Sequence, residues 1–94
     1  MREAQLVAEW HAVQGGTAAS LIGVVDADAL QVIVNLRSLA DDASQLVIDL
    51  EHVDAIDGAG VALLEALGAE HNVLMVNPSN AIVTALVDLD LPRL

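Results

Sequence analysis

The segment Gln45–Gly68, QLVIDLEHVDAIDGAGVALLEALG, constrains the fold more than any other part of the chain. Gln45–Leu50 is a short, nearly continuous apolar run, the pattern of a strand covered on both faces. EHVDAI leads from it to Asp57. GVALLEALG then places apolar residues at helical spacing and ends at Gly68, which reads as a C-terminal glycine stop. HNVLMV, His71–Val76, supplies the next buried strand. A strand, a helix and a second strand in that order argue for a crossover and a mainly parallel arrangement.

The flanking segments extend this unit. Gln5–Val13 loosely alternates, with Leu6, Ala8, Trp10 and Ala12 on one parity and Glu9 and His11 on the other, as in a half-buried strand. Gly15-Gly16 makes a tight connection to TAASLIGVV, so a hairpin opens the chain. Gly23 interrupts its second strand and predicts a bulge or a close backbone approach. Asp26 or Asp28 can cap a helix from about Ala29 to Leu39, with Leu30, Ile33, Val34 and Leu36 on a broad apolar face. Asp41–Ser44 reads as a turn. NPSN is another, with a cap at Ser79 or Asn80 for a last helix, AIVTALVDL, and DLPRL closes the chain. The order is β-β-α-β-α-β-α in a single α/β domain spanning 1–94, as its 94 residues lead one to expect.

Composition limits what this domain can bind. Fourteen Asp and Glu face three Arg (Arg2, Arg37, Arg93) and no Lys, a net charge of -11. Such a chain repels phosphate backbones and anionic leaflets, which argues against nucleic acid and membrane-surface binding, and it suits a partner with a basic surface. Without cysteine there is no disulfide or thiol chemistry. No apolar run exceeds four residues, too short for membrane insertion, and MREAQLVAEW lacks the features of a signal peptide. The expected location is the cytoplasm. Hydrophobic residues make up 55% of the chain, with Trp10 the one aromatic side chain besides the histidines, so the core is aliphatic. That apolar content allows a homodimer through exposed Val and Leu, with no surface singled out.

The turn IDGAG invites several chemistries and lacks the groups for each. A dinucleotide fingerprint needs a glycine where Leu63 stands, and a P-loop needs a lysine. Asp57 as a phospho-acceptor would want a Mg²⁺ cage of further carboxylates and a lysine. None of Ser20, Ser38, Ser44 or Ser79 lies on a strand-to-helix elbow. His52, Asp54 and Asp57 form HxDxxD, better read as solvated loop side chains than as metal ligands. No catalytic residue, metal site or cofactor emerges. Asp57 instead fits an N-cap, accepting from the N–H of Ala59 or Gly60, while the two glycines leave the backbone open as a flat docking surface.

These residues resemble the STAS domain family, the fold of anti-sigma factor antagonists and of regulatory modules on sulfate transporters. LIGVVDADAL is similar to its strand-end pattern through Gly23 and Asp26. QLVIDLEHVDAIDGAGVALLEAL resembles its central signature through Asp49, Leu50, Ile56, Asp57, Gly60 and Leu64, and LMVNPSNAIVTALVDLDL its last strand, turn and helix. The resemblance covers nearly the whole chain. It implies a small mixed, mainly parallel sheet with helices mainly on one face, and a function in binding. An antagonist docks on an anti-sigma factor, usually a serine kinase, and phosphorylation of the hydroxyl residue after the signature Asp reverses this. Here that position is Gly58, and no Ser or Thr lies between Gln45 and Asn77 to replace it.

The resemblance thus implies a non-catalytic regulatory module that binds an anti-sigma factor or kinase-like regulator through Asp26, Asp57, Gly58, Ala59 and Gly60. The alternative is an accessory or scaffold subunit, for example on the ATPase of an ABC lipid-transport system.

Overall fold

A two-residue turn at Gln14–Gly15 joins β1 (Leu6–Val13) to β2 (Gly16–Val25), and the two pair antiparallel from Val13↔Gly16 to Leu6↔Gly23. The structure, a computed structural model, describes residues 5–70 and 72–88. After β2, a short 3-10 turn (Ala27–Ala29) runs directly into α1 (Leu30–Asp42). β3 (Leu46–Ile56), α2 (Gly58–Gly68), β4 (Val73–Val76) and α3 (Asn80–Asp88) complete the order expected from sequence. The sheet order is β1-β2-β3-β4, with β2, β3 and β4 parallel, so the sheet is mixed and mainly parallel.

All three helices lie on one face of this sheet. Ile33, Leu36 and Ala40 of α1, Val61, Leu64 and Leu67 of α2, and Ile82, Ala85 and Leu86 of α3 join one cluster with Ala19, Leu21, Leu46, Ile48 and Leu50 of the strands. The alternate strand residues Ile22, Val24 and Val47 stand outside that cluster, half-buried, and Leu74 is exposed. No polar side chain among the described residues is buried. Burial is worth about 1.5–3 kcal/mol for each Leu or Ile. Leu21, Ile33, Leu36, Leu46, Ile48, Leu50, Leu64, Leu67 and Ile82 are all fully buried, so the core holds without an aromatic ring.

Several boundaries differ from the sequence expectation. β3 runs to Ile56 rather than Leu50, because β2 pairs with it as far as Val25↔Ile56. Register shifts between Ser20 and Ile22 and between Gly23 and Val24 absorb the irregular pattern of EHVDAI. The bulge expected at Gly23 is there. Its φ is +117°, and a Cβ would strike the carbonyl of Gln5. α1 continues through Asp42, so Asp41-Asp42 belong to the helix and the turn is shorter than expected. Gly68 is the last helical residue and not a left-handed stop, since the helix ends through Ala69 in a right-handed conformation. The space above Gly68 is taken by the Met75 side chain. His71, expected to start β4, and Leu89, expected to end α3, lie outside the described residues.

Strand β1 shows the clearest departure in burial. Its parity is as expected, since Ala8 pairs with Leu21 and Trp10 with Ala19 on the helix-covered side. Yet only Leu6 is buried, and Trp10 is 56% exposed. The helical layer covers only the start of the outer strand, at Leu6 and Ala8, and alternation along a strand cannot reveal where the opposing layer ends.

Candidate functional site

Asp26 and Asp57 end two neighbouring parallel strands, β2 and β3, and each starts the helical segment that follows. Asp57 N–H approaches the Val25 carbonyl oxygen at 3.4 Å, which holds the two loops side by side. Asp57 has extended backbone (φ -115°, ψ -175°) and is the N-cap of α2: the Gly60 N–H donates to its Oδ1 at 2.8 Å. Of the two acceptor geometries open from sequence, the structure uses Gly60. Asp26 caps the 3-10 turn rather than α1 itself, accepting from the Asp28 N–H at 3.0 Å. α1 follows that turn without a side-chain cap, because the turn feeds its backbone straight into the helix.

The two glycines of the turn do opposite things. A Cβ on Gly60 would collide with the Val25 carbonyl and with Ile56 Cγ1, so α2 can sit this close to β2 only with glycine there. Gly60 is buried beneath the surface, not on it. Gly58, at the first position of α2, is exposed, and a Cβ there would meet nothing within 4 Å. Ala59 is exposed beside it. Among Asp26, Asp57, Gly58, Ala59 and Gly60, the first four therefore form one patch and the fifth supports it.

Helix α1 carries exposed apolar residues that sequence reasoning missed. Of the broad apolar face expected on α1, Ile33 and Leu36 are buried, together with Ala40, whereas Leu30 and Val34 are 54% and 44% exposed. Leu30, Val34 and Arg37 follow one another at i, i+4 and i+7. Arg37 reaches α2's far end, donating to Glu70 Oε1 at 3.0 Å, so this flank of α1 borders α2. An apolar arc wider than one neighbour can cover was the available signal. Asp26 and Asp57 make the start of the patch acidic, and Arg37, the one arginine among the described residues, is paired with Glu70.

His52 and Asp54 are exposed on β3, and the Asp57 carboxylate is engaged with Gly60, so HxDxxD is not gathered into a site. Among the described residues no three His, Asp or Glu converge to hold a metal ion, and no helix is long and apolar enough to cross a membrane.

No family model matches the chain, and no curated protein matches it by sequence. Solved structures do. The chain is similar to the anti-sigma factor antagonist SpoIIAA in its unphosphorylated form, with 18% identity and a TM-score of 0.64 over 90% of this chain and 82% of that one. It is also similar to part of Mglu, with 25% identity and a TM-score of 0.53 over 68% of this chain and 18% of the other. The opening hairpin and the two crossovers on one face thus belong to a known architecture. The chain has the STAS fold, shared with the anti-sigma factor antagonist SpoIIAA.

Proposed function

We propose that this chain is a non-catalytic protein-binding regulatory module of the anti-sigma factor antagonist type, acting in the cytoplasm without the usual phosphorylation switch. Asp26, Asp57, Gly58 and Ala59 form its docking surface, with Gly60 beneath, and the partner is an anti-sigma factor or kinase-like regulator. The observation that carries this reading is Gly58. It opens α2 directly after the capping Asp57, faces free space and offers a partner bare backbone where a regulated relative would present a hydroxyl. A phosphate there would add a charge near -2 to a surface already lined by Asp26 and Asp57. Glycine removes that possibility, so binding is constitutive.

The test is affinity capture with purified candidate regulators. A histidine-kinase-like ATPase-fold protein should be retained equally with and without ATP. Gly58→Glu should weaken that complex by roughly tenfold or more, since it puts a charge into the contact without disturbing the fold. Unchanged affinity would place the interface elsewhere. Gly58→Ser should restore control, with phosphorylation by the partner followed by release. Capture of an ABC transporter ATPase instead would favour the accessory-subunit reading.

A further inference from the structure

We propose that the free edge of β1 is a self-pairing surface, through which two copies of this chain join antiparallel about a two-fold axis at Trp10. The inference is independent of the docking surface at α2, with which it shares no residue.

Among the described residues nothing guards this edge. Sheet edges are usually protected by lysine, proline, a bulge or a covering segment. β1 reads LVAEWHAV, contains no proline or lysine, and pairs with β2 without a register shift over its whole length. Its large side chains are uncovered on both faces: Val7 is 57% exposed, Trp10 56% and Val13 41%. Among the described residues, neither Glu9, Trp10 nor His11 makes a side-chain hydrogen bond or ion pair.

The sequence of the edge matches its own reverse. Val7-Ala8-Glu9-Trp10-His11-Ala12-Val13 is symmetric about Trp10 except at Glu9 and His11, which are complementary to each other. Antiparallel pairing centred on Trp10 sets Val7 opposite Val13 of the second copy, Ala8 opposite Ala12, and the Glu9 carboxylate opposite the His11 imidazole N–H. The two Trp10 rings meet at the axis. Apolar, aromatic and carboxylate–imidazole cross-strand pairs all favour this register.

Backbone geometry permits it. The Val24 N–H donates to the Gln5 carbonyl at 3.0 Å. The alternation of an antiparallel ladder then turns the backbone groups of Val7, Glu9, His11 and Val13 toward β2. Those of Leu6, Ala8, Trp10 and Ala12 point out of the edge. A second β1 can therefore pair only in registers that match even-numbered residues to even-numbered ones. Moving the axis to Glu9 would set that carboxylate against itself, and moving it to His11 would leave Glu9 opposite Val13. The register centred on Trp10 alone matches both charge and shape. Helices also leave room, since more than half of Trp10 stays uncovered. In the chain's own sheet Glu9 stands opposite Ser20, with Asp49 beyond, so no positive charge lies across its ladder.

The experiment is sedimentation of the full chain from low to high micromolar concentration, at an ionic strength that screens its net charge. Trp10 fluorescence and amide exchange are followed in parallel. The expected result is a monomer–dimer equilibrium in which Trp10 emission shifts to the blue as dimer forms. The amides of Ala8, Trp10 and Ala12 should gain protection with concentration, whereas those of Val7, Glu9 and His11 are protected throughout. His11→Glu should weaken the dimer by roughly tenfold, and adding Glu9→His to it should restore association. Circular dichroism checks that each variant is folded. A chain that stays monomeric throughout would overturn the proposal, as would a dimer insensitive to His11→Glu, one not rescued by the double exchange, or one that leaves Trp10 and the Ala8, Trp10 and Ala12 amides unchanged.

Discussion

The start of α2 and the outer strand β1 are both exposed, for opposite reasons. At α2 the exposed backbone is held by tight local packing: Asp57 caps the helix, and Gly60 lets it approach the Val25 carbonyl. At β1 the exposed side chains have two causes: the helical layer leaves more than half of Trp10 uncovered, and Val7 and Val13 stand on the face that carries no helix. The first surface presents almost no side chain and an acidic rim. The second presents apolar side chains and little charge. Surface of the first kind depends on single residues beneath it, whereas surface of the second kind contributes little to the fold that carries it.

That contrast can be broken by substitution, with stability measured by denaturant unfolding at concentrations low enough to exclude association. The largest effect is expected at Gly60. Gly60→Ala places a methyl against backbone and should cost about 1–3 kcal/mol or more, by overpacking between α2 and β2. Gly58→Ala, two residues away, is the control and should be neutral or stabilising by about 0.4–1 kcal/mol, because its Cβ meets open space. Equal costs at the two positions would mean that the close approach at Gly60 is absent in solution.

Asp57→Ala should come next, at about 1 kcal/mol, through loss of the hydrogen bond from Gly60 N–H. Trp10→Gln should have the smallest effect on the monomer, within about 0.5 kcal/mol, as expected for a side chain more than half exposed. A loss as large as that at Asp57 would show that β1 is better covered than its exposure indicates.

Much of the fold was legible in the sequence, and particular residues show why. Val, Leu and Ile runs of strand length, alternating with helical spacing, gave the element order. Asp57 and Ser79 were readable as caps because a short oxygen-bearing side chain before an apolar helix has few other uses; Ser79 Oγ accepts from the Ile82 N–H at 3.3 Å. Gly23 was readable because an isolated glycine within a strand pattern points to a bulge. The extent of β3 was not legible. EHVDAI has no clean period, and pairing with β2 through two irregular steps draws it into the sheet. Leu30 and Val34 misled for a related reason: hydrophobic spacing identifies an apolar arc but not how much of that arc a neighbour covers. From the residues themselves the candidate site was legible only as a turn; the family resemblance added Asp26 to it, and the pairing of β2 with β3 is what brings Asp26 beside Asp57.

By itself the sequence determined the order of strands and helices, the aliphatic core, the capped turn at Asp57 and the absence of a hydroxyl at position 58. These follow from local propensity and side-chain chemistry, which need no distant partner. Only the tertiary structure decided that Gly60 is needed for packing while Gly58 is free, that Leu30 and Val34 face outward, and that β1 ends the sheet with Trp10 uncovered. Each of those depends on which atoms of a remote segment arrive nearby, and no local pattern encodes the position of the opposing layer.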